Sequence, residues 1–132
     1  MAGSSPFPEF FISHHIGDYL LQTDFQALNK HGGLGRDRTA RRALGQHGLS
    51  YTAAFVPALA VVARRRGLGR ALSVAAAITL PHVAIDDGRM LHSYMRAVKG
   101  IKGAADPGLA RNVDQSMHMV CLWLAARFAA RG

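Results

Sequence analysis

Histidine and aspartate residues recur at a fixed spacing along this sequence. Three His/Asp pairs are separated by four residues, and residues four apart are neighbours on one face of an α-helix. A further histidine stands between the first two pairs. The candidate site residues are His14, Asp18, His47, His82, Asp86, Asp114 and His118. Transition metals are commonly bound by imidazole and carboxylate groups together, so this set predicts a metal centre.

The number of candidate ligands bears on which metal is bound and how many ions. Mixed imidazole and carboxylate ligands suit a divalent Zn, Mn or Fe ion better than Ca or Mg. Seven ligands exceed the needs of one ion, and two-ion centres are common in phosphoester hydrolysis. Gln22 and Gln115 lie beside the site residues, where an amide orients a ligand or bonds a neighbouring helix. The alternative is that each histidine is a packed core residue satisfied by its aspartate.

Glycine and proline divide the chain into long segments of helix-compatible composition. We expect helices over residues 8–28, 39–63, 71–98 and 109–130, joined by short basic connections. This pattern predicts an all-α fold, a four-helix up-down bundle in a single domain spanning residues 1–132. Pro57 predicts a kink in the second helix, and Pro81 predicts a bend just before His82.

An up-down bundle brings the connections 29–38 and 99–108 to the same end, here named the loop end. Asp18, His47 and Asp86, on the first three helices, lie about eight to ten residues from that end. The site residues of the fourth helix lie close to its start. Since a helix rises 1.5 Å per residue, Asp18, His47, Asp86, Asp114 and His118 fall in the half of the bundle nearest the loop end, and His14 and His82 lie one turn from Asp18 and Asp86. We therefore expect them to converge in one pocket.

The composition favours a membrane protein. Hydrophobic residues make up 49% of the chain and charged residues 18%, with a net charge of +8. The runs 49–63 and 71–85 carry no Asp, Glu, Lys or Arg, and they reach the ~20 residues of a spanning helix only if the polar pairs are included. A soluble bundle would show a solvated face on each helix. The prediction is a transmembrane bundle with the lipid bilayer as its partner.

Charge and cysteine usage narrow the alternatives. The basic residues cluster between apolar segments, which indicates membrane-flanking loops, and we expect no nucleic-acid partner. The single cysteine, Cys121, has no partner for an internal disulfide and excludes zinc sites with two or more thiolates. No basic residue precedes His14, so a cleaved signal peptide is not expected.

A small bacterial and phage family, known only as an integral-membrane domain of unknown function, resembles this chain in four motifs. These are His14-x-x-x-Asp18-Tyr19-Leu20-Leu21-Gln22-Thr23-Asp24 followed by Lys30, then His47, then His82-x-x-x-Asp86, and Asp114-Gln115-x-x-His118. The similarity runs from about His14 to Trp123. More distantly, the pattern looks like predicted membrane-bound metal-dependent hydrolases. The resemblance implies a multi-pass helical protein of the bacterial inner membrane, and it supplies no established reaction.

Three functions are compatible with these observations. The first is a membrane-embedded metal-dependent phosphoester hydrolase, with a metal-activated water and an anionic small-molecule or lipid substrate. The second is a non-enzymatic metal or proton conductor, and the third is a structural membrane protein in which His–Asp pairs lock helices together. A conductor needs a polar path through the bundle. The helices are apolar beyond Thr52 and beyond His118, which favours a one-sided pocket.

Overall fold

The computed structural model describes residues 5–131 and contains no strand in that range. The expected all-α class is confirmed. The elements are α1 (Phe7–His15), a π-helical turn (Ile16–Leu20), α2 (Asp24–Asn29), α3 (Arg38–Ala54), α4 (Val56–Arg66), α5 (Leu68–Asp86), α6 (Arg89–Ala97) and α7 (Pro107–Ala130). These seven α-helices do not confirm the expected four-helix bundle. The assignment of residues 1–132 to one domain stays a prediction.

The first predicted helix is divided near its middle. α1 passes into the π-helical turn, and the chain then leaves the helical conformation until α2 begins. The Thr23 side chain accepts a hydrogen bond from the Gln26 backbone, and the Gln26 side chain accepts one from the Thr23 backbone. This reciprocal cap satisfies two backbone N–H groups that the first turn of a helix leaves free. α2 is therefore a separate helix.

The second and third predicted helices are each interrupted at one point. α3 ends before Phe55, and Pro57 stands in the first turn of α4, where its missing N–H costs nothing. The kink expected there is thus a helix boundary. α5 continues through Pro81, where a bend was expected, and ends at the following junction with α6. Gly88 has φ +83° at that junction, a conformation that glycine adopts without steric cost.

An apolar core occupies one half of the molecule. α5 packs against α7, α4 and α3, and α1 packs against α7. The largest members of the core are Phe10, Tyr51, Phe55, Val62, Val74, Ile78 and Leu122. On each helix that carries candidate site residues, the core residues lie farther from the loop end than the site residues do. The bundle is therefore divided into an apolar half and a polar half.

One helix, α5, is long and apolar enough to cross a membrane, judged by length and composition alone. Only 28% of its most apolar stretch is buried inside the molecule. A single helix of this kind is weak evidence, because a core helix of a soluble protein meets the same criteria. It does not by itself support the expected multi-pass location in the inner membrane.

Candidate metal centre

Four of the seven candidate residues form a compact buried group. Asp18 comes from the π-helical turn, His47 from α3, and His82 and Asp86 from α5. Their exposed fractions lie between 0% and 6%. One donor atom from each residue lies within 4.8 Å of the donor atoms of the other three. We call Asp18, His47, His82 and Asp86 the four-residue group.

Five donor–donor distances in this group are close to those of a tetrahedral coordination shell. The Nε2 atoms of His47 and His82 are 3.0 Å apart, and they lie 2.9 and 3.0 Å from Asp86 Oδ2. The same two nitrogens lie 3.2 and 3.5 Å from Asp18 Oδ1. Ligands that bind a tetrahedral ion at ~2.0–2.1 Å are separated from one another by about 3.3 Å. The observed distances lie on both sides of that value.

Hydrogen bonds do not satisfy these donor atoms well. If both imidazoles carried hydrogen on Nε2, two N–H groups would face each other across 3.0 Å. If one imidazole lacked that hydrogen, its lone pair would face the carboxylate oxygen of Asp86. Within residues 5–131, the buried Oδ1 of Asp18 has no hydrogen-bond partner. A cation at the centre would attract all four donors at once.

A second group shares one member with the first. One donor atom each from Asp86, Asp114 and His118 lies within 4.8 Å of the other two. Asp86 Oδ1 is 3.7 Å from His118 Nε2, and Asp114 Oδ2 is 3.4 Å from His118 Nδ1. Asp86 and His118 are buried, whereas the Asp114 side chain is 21% exposed. We call Asp86, Asp114 and His118 the three-residue group.

His14 belongs to neither group and instead supports both. Its Nε2–H donates to Gln115 Oε1 at 3.0 Å, and its Nδ1 accepts from the Tyr51 hydroxyl at 3.0 Å. The same Nε2 is 3.6 Å from Asp18 Oδ2. The Gln115 amide donates in turn to Asp114 Oδ2 at 3.2 Å. His14 and Gln115 thus connect carboxylates of the two groups, as expected for residues behind metal ligands.

Two residues in contact with the site were absent from the predicted set. The Tyr51 ring is stacked on His82, with centroids 3.4 Å apart and planes 3° apart. Lys30 Nζ donates to Asp86 Oδ2 at 2.9 Å and to Gln22 Oε1 at 2.7 Å. Tyr51 stands four residues after His47, so the same four-residue spacing indicates that it lies on the face of α3 that carries His47. Lys30 closes the first motif, and its ammonium partly neutralises Asp86.

Glycine residues allow the helices that carry the donors to approach closely. A Cβ atom on Gly17 would lie 2.6 Å from Tyr51 Cδ2, and one on Gly48 would lie 3.1 Å from Val83 Cγ2. Gly17 thereby lets the π-helical turn rest against α3, and Gly48 lets α3 rest against α5. π-helical turns are often found at functional sites. Here the turn carries Asp18 into the four-residue group.

Asp87 follows Asp86 but has a different environment. Its carboxylate accepts hydrogen bonds from the Arg89 guanidinium and, at 2.8 Å, from the Leu34 backbone N–H. The hydrogen bond from Arg89 holds the pKa of Asp87 below its usual range. The Asp87 carbonyl accepts from the Gly32 N–H at 2.8 Å. Asp87 therefore fastens the loop before α3 to the end of α5 and takes no part in either metal group.

Comparisons with known proteins place this helical chain with its buried His/Asp centre in a family. The family DUF3307, described as "Protein of unknown function", matches residues 7–131, and the chain belongs to that family. No curated protein and no solved structure gives a significant match. The resemblance to an unknown-function family is thus supported. Its membrane character and the more distant likeness to membrane-bound hydrolases receive no support from these comparisons.

Proposed function

We propose that this protein binds a divalent metal ion in the four-residue group, with zinc as the best-fitting ion. The observation that carries the proposal is the set of donor–donor distances between 2.9 and 3.5 Å. Two imidazole nitrogens and two carboxylate oxygens in tetrahedral arrangement are a familiar zinc environment. Manganese and iron share these ligands but commonly take additional ones.

The proposed ion has a structural role. Structural zinc sites are closed by four protein ligands, whereas catalytic sites keep a position open for water. Four buried donors complete a tetrahedral shell in this group. The ion would join the π-helical turn, α3 and α5 at the polar half of the bundle. Hydrolysis by a metal-bound water, expected from the sequence, is therefore not assigned to this group.

Metal analysis of the purified protein tests the proposal. We expect at least one equivalent of zinc after reconstitution of the wild type. His82→Ala and Asp18→Asn remove a ligand and should each lose most of the zinc bound at this group, and Asp18→Asn does so with little change in shape. His92→Ala is the matched control, because His92 is exposed on α6. A wild type without metal, or a His82→Ala variant with wild-type zinc content and affinity, contradicts the proposal.

We also propose that the bundle lies in a lipid bilayer. Large apolar side chains on several helices are exposed rather than packed in the core. They include Ile12 at 59% exposure, Leu49 at 75%, Val56 at 58%, Leu72 at 63%, Leu80 at 68%, Val120 at 58% and Leu124 at 54%. Many exposed large apolar side chains favour an interaction with another apolar phase. A bilayer accounts for their presence on several sides of the bundle.

The charges at the end opposite the loop end support this location. Arg127 lies over the Trp123 ring at 5.0 Å, and Arg70 lies over the Phe128 ring at 4.6 Å. Aromatic and basic side chains are enriched at membrane interfaces. α7 has 24 residues and is about 36 Å long at 1.5 Å per residue, enough to cross the ~30 Å hydrocarbon layer.

Membrane fractionation tests the location. We expect the full chain to stay in the membrane pellet through high-salt and alkaline washes and to be released only by detergent. A peripheral protein held by its basic residues would be released by salt, because salt screens exposed charges. Release without detergent therefore contradicts the bilayer proposal, and the metal proposal would be unaffected.

A further inference from the structure

The three-residue group has a feature that the proposed structural ion does not explain. His118 Nε2 is buried and has no hydrogen-bond partner among residues 5–131, and His118 as a whole is only 2% exposed. Its Nδ1 lies 3.0 Å from the Asp114 carbonyl oxygen, which only accepts hydrogen bonds. Nδ1 therefore carries a hydrogen, and in the neutral imidazole Nε2 presents a bare lone pair. A neutral imidazole in this tautomer is ready to bind a metal ion.

The Nε2 lone pair of His118 faces the carboxylate of Asp86. Nε2 lies 3.7 Å from Asp86 Oδ1, and when the imidazole is neutral these two electron-rich atoms repel each other unless a cation lies between or beside them. The other oxygen of Asp86, Oδ2, faces His47 and His82 in the four-residue group. The two oxygens of one carboxylate are thus directed to different groups. Paired ions in proteins lie about 3.5–4 Å apart, a separation that one carboxylate can bridge.

We infer that the three-residue group holds a second divalent ion, bridged to the first through Asp86, and that this second ion binds an oxyanion. The inference rests on the proposed function, because the bridge needs an ion in the four-residue group. His118 Nε2 and Asp114 Oδ1 would supply the other two protein ligands, because Asp114 Oδ2 already faces His118 Nδ1 at 3.4 Å. Gln115 donates to Asp114 Oδ2 at 3.2 Å and holds that carboxylate in place.

The second ion differs from the first in being open. Three protein ligands leave at least one coordination position for water or another ligand, as catalytic metal sites do. Asp114 is partly exposed, so this position is on the accessible side of the centre. Three carboxylates face two divalent ions and the Lys30 ammonium, which leaves an excess of positive charge. An anionic oxygen ligand such as phosphate neutralises that excess.

Cobalt reconstitution of the full-length protein, purified in detergent and stripped of metal, tests this inference. Tetrahedral Co²⁺ absorbs visible light strongly, and Co²⁺ with more ligands absorbs weakly. We expect two equivalents to bind, and the Co²⁺ held by the four-residue group should absorb strongly. Inorganic phosphate should then change the spectrum of the two-cobalt form. Asp114→Asn and His118→Gln should bind one equivalent, keep the strong absorption and show no response to phosphate.

The control and the separate outcomes distinguish this inference from the proposed function. Asp24→Asn makes the same chemical change at an exposed aspartate and should bind two equivalents. Circular dichroism confirms that each variant remains helical. A wild type that binds one cobalt, with Asp114→Asn unchanged, overturns the second ion and leaves the first. Binding of no cobalt overturns both, and two cobalt ions without any response to phosphate overturn the oxyanion ligand.

Discussion

Tyr51 connects the apolar core to the candidate metal centre through two parts of its side chain. The ring is stacked on His82, and the hydroxyl donates to His14 Nδ1. Metal-binding histidines usually donate their second ring nitrogen to a carbonyl or carboxylate. The Nδ1 atoms of His47 and His82 have no such partner in the described part of the chain. The His82 ring is therefore oriented by packing against Tyr51 rather than by a hydrogen bond.

The variant Tyr51→Phe separates the hydroxyl from the ring. We expect the metal content to be unchanged, because the ring still supports His82. Metal affinity should fall by up to about tenfold, because His14, which contacts the ligand Asp18, loses its hydrogen bond from the Tyr51 hydroxyl. Leaving the buried His14 Nδ1 without a donor should lower stability by about 1–3 kcal/mol. Chelator competition and thermal unfolding measure the two effects, and equality with Tyr19→Phe, at an exposed tyrosine, would contradict this role.

The contacts of a site residue could be predicted from the sequence where the helix that carries it is regular. His82 and Asp86 meet as expected because α5 is continuous between them. His14 and Asp18 lie on either side of the boundary between α1 and the π-helical turn, where the helical period changes. Their spacing still brings them within 3.6 Å, but it does not reveal that Asp18 Oδ1 turns toward His47. That direction depends on packing against α3, which four-residue spacing does not encode.

At the scale of elements, the contact between the π-helical turn and α3 positions Asp18. It exists because Gly17 has no side chain: an added Cβ would lie 2.6 Å from Tyr51 Cδ2 and 3.2 Å from Tyr51 Cα. The second distance involves the backbone of α3, which a rotamer change does not relieve. Any larger residue must therefore move the turn away from α3, and Asp18 moves with it.

Gly17→Ala should destabilise the protein by about 1–3 kcal/mol through overpacking and should weaken metal binding at the same time. Gly45→Ala is the matched control, because Gly45 lies in α3 with no atom within 4 Å of the added Cβ. That control should be neutral or stabilising by up to about 1 kcal/mol, since alanine favours helix. Chemical denaturation measures the stability of both variants, and metal titration measures their metal affinity. Equal behaviour would mean that the close contact does not position Asp18.

Depth along the bundle was more predictable than the number of helices. The rise per residue is the same in every helix, so counting from the connections placed Asp18, His47 and Asp86 near one another. The breaks at Phe55 and Gly88 occupy one or two residues each. Such short breaks leave little trace in a pattern of hydrophobicity. The connection 21–23 is similar, since its capping residues also occur inside helices.

At the scale of the whole molecule, the proposed ions act on one half of the bundle. Chelation of metal from the purified protein should lower its thermal unfolding temperature. A ligand present at a hundred times its dissociation constant stabilises the folded state by about 2.7 kcal/mol. Differential scanning calorimetry with and without chelator measures the shift. Asp18→Asn should respond less than the wild type, and an equal response would show that the chelator acts elsewhere.

The division into an apolar half and a polar half also bears on the order in which the molecule is assembled. Phe10, Phe55, Ile78 and Leu122 pack together without any contribution from metal. Each lies within eight residues of a candidate donor on the same stretch of chain. Once these side chains are packed, the donors are gathered at the loop end before an ion arrives. We therefore expect the proposed metal loading to follow packing of the apolar half, so that the folded bundle persists when metal is scarce.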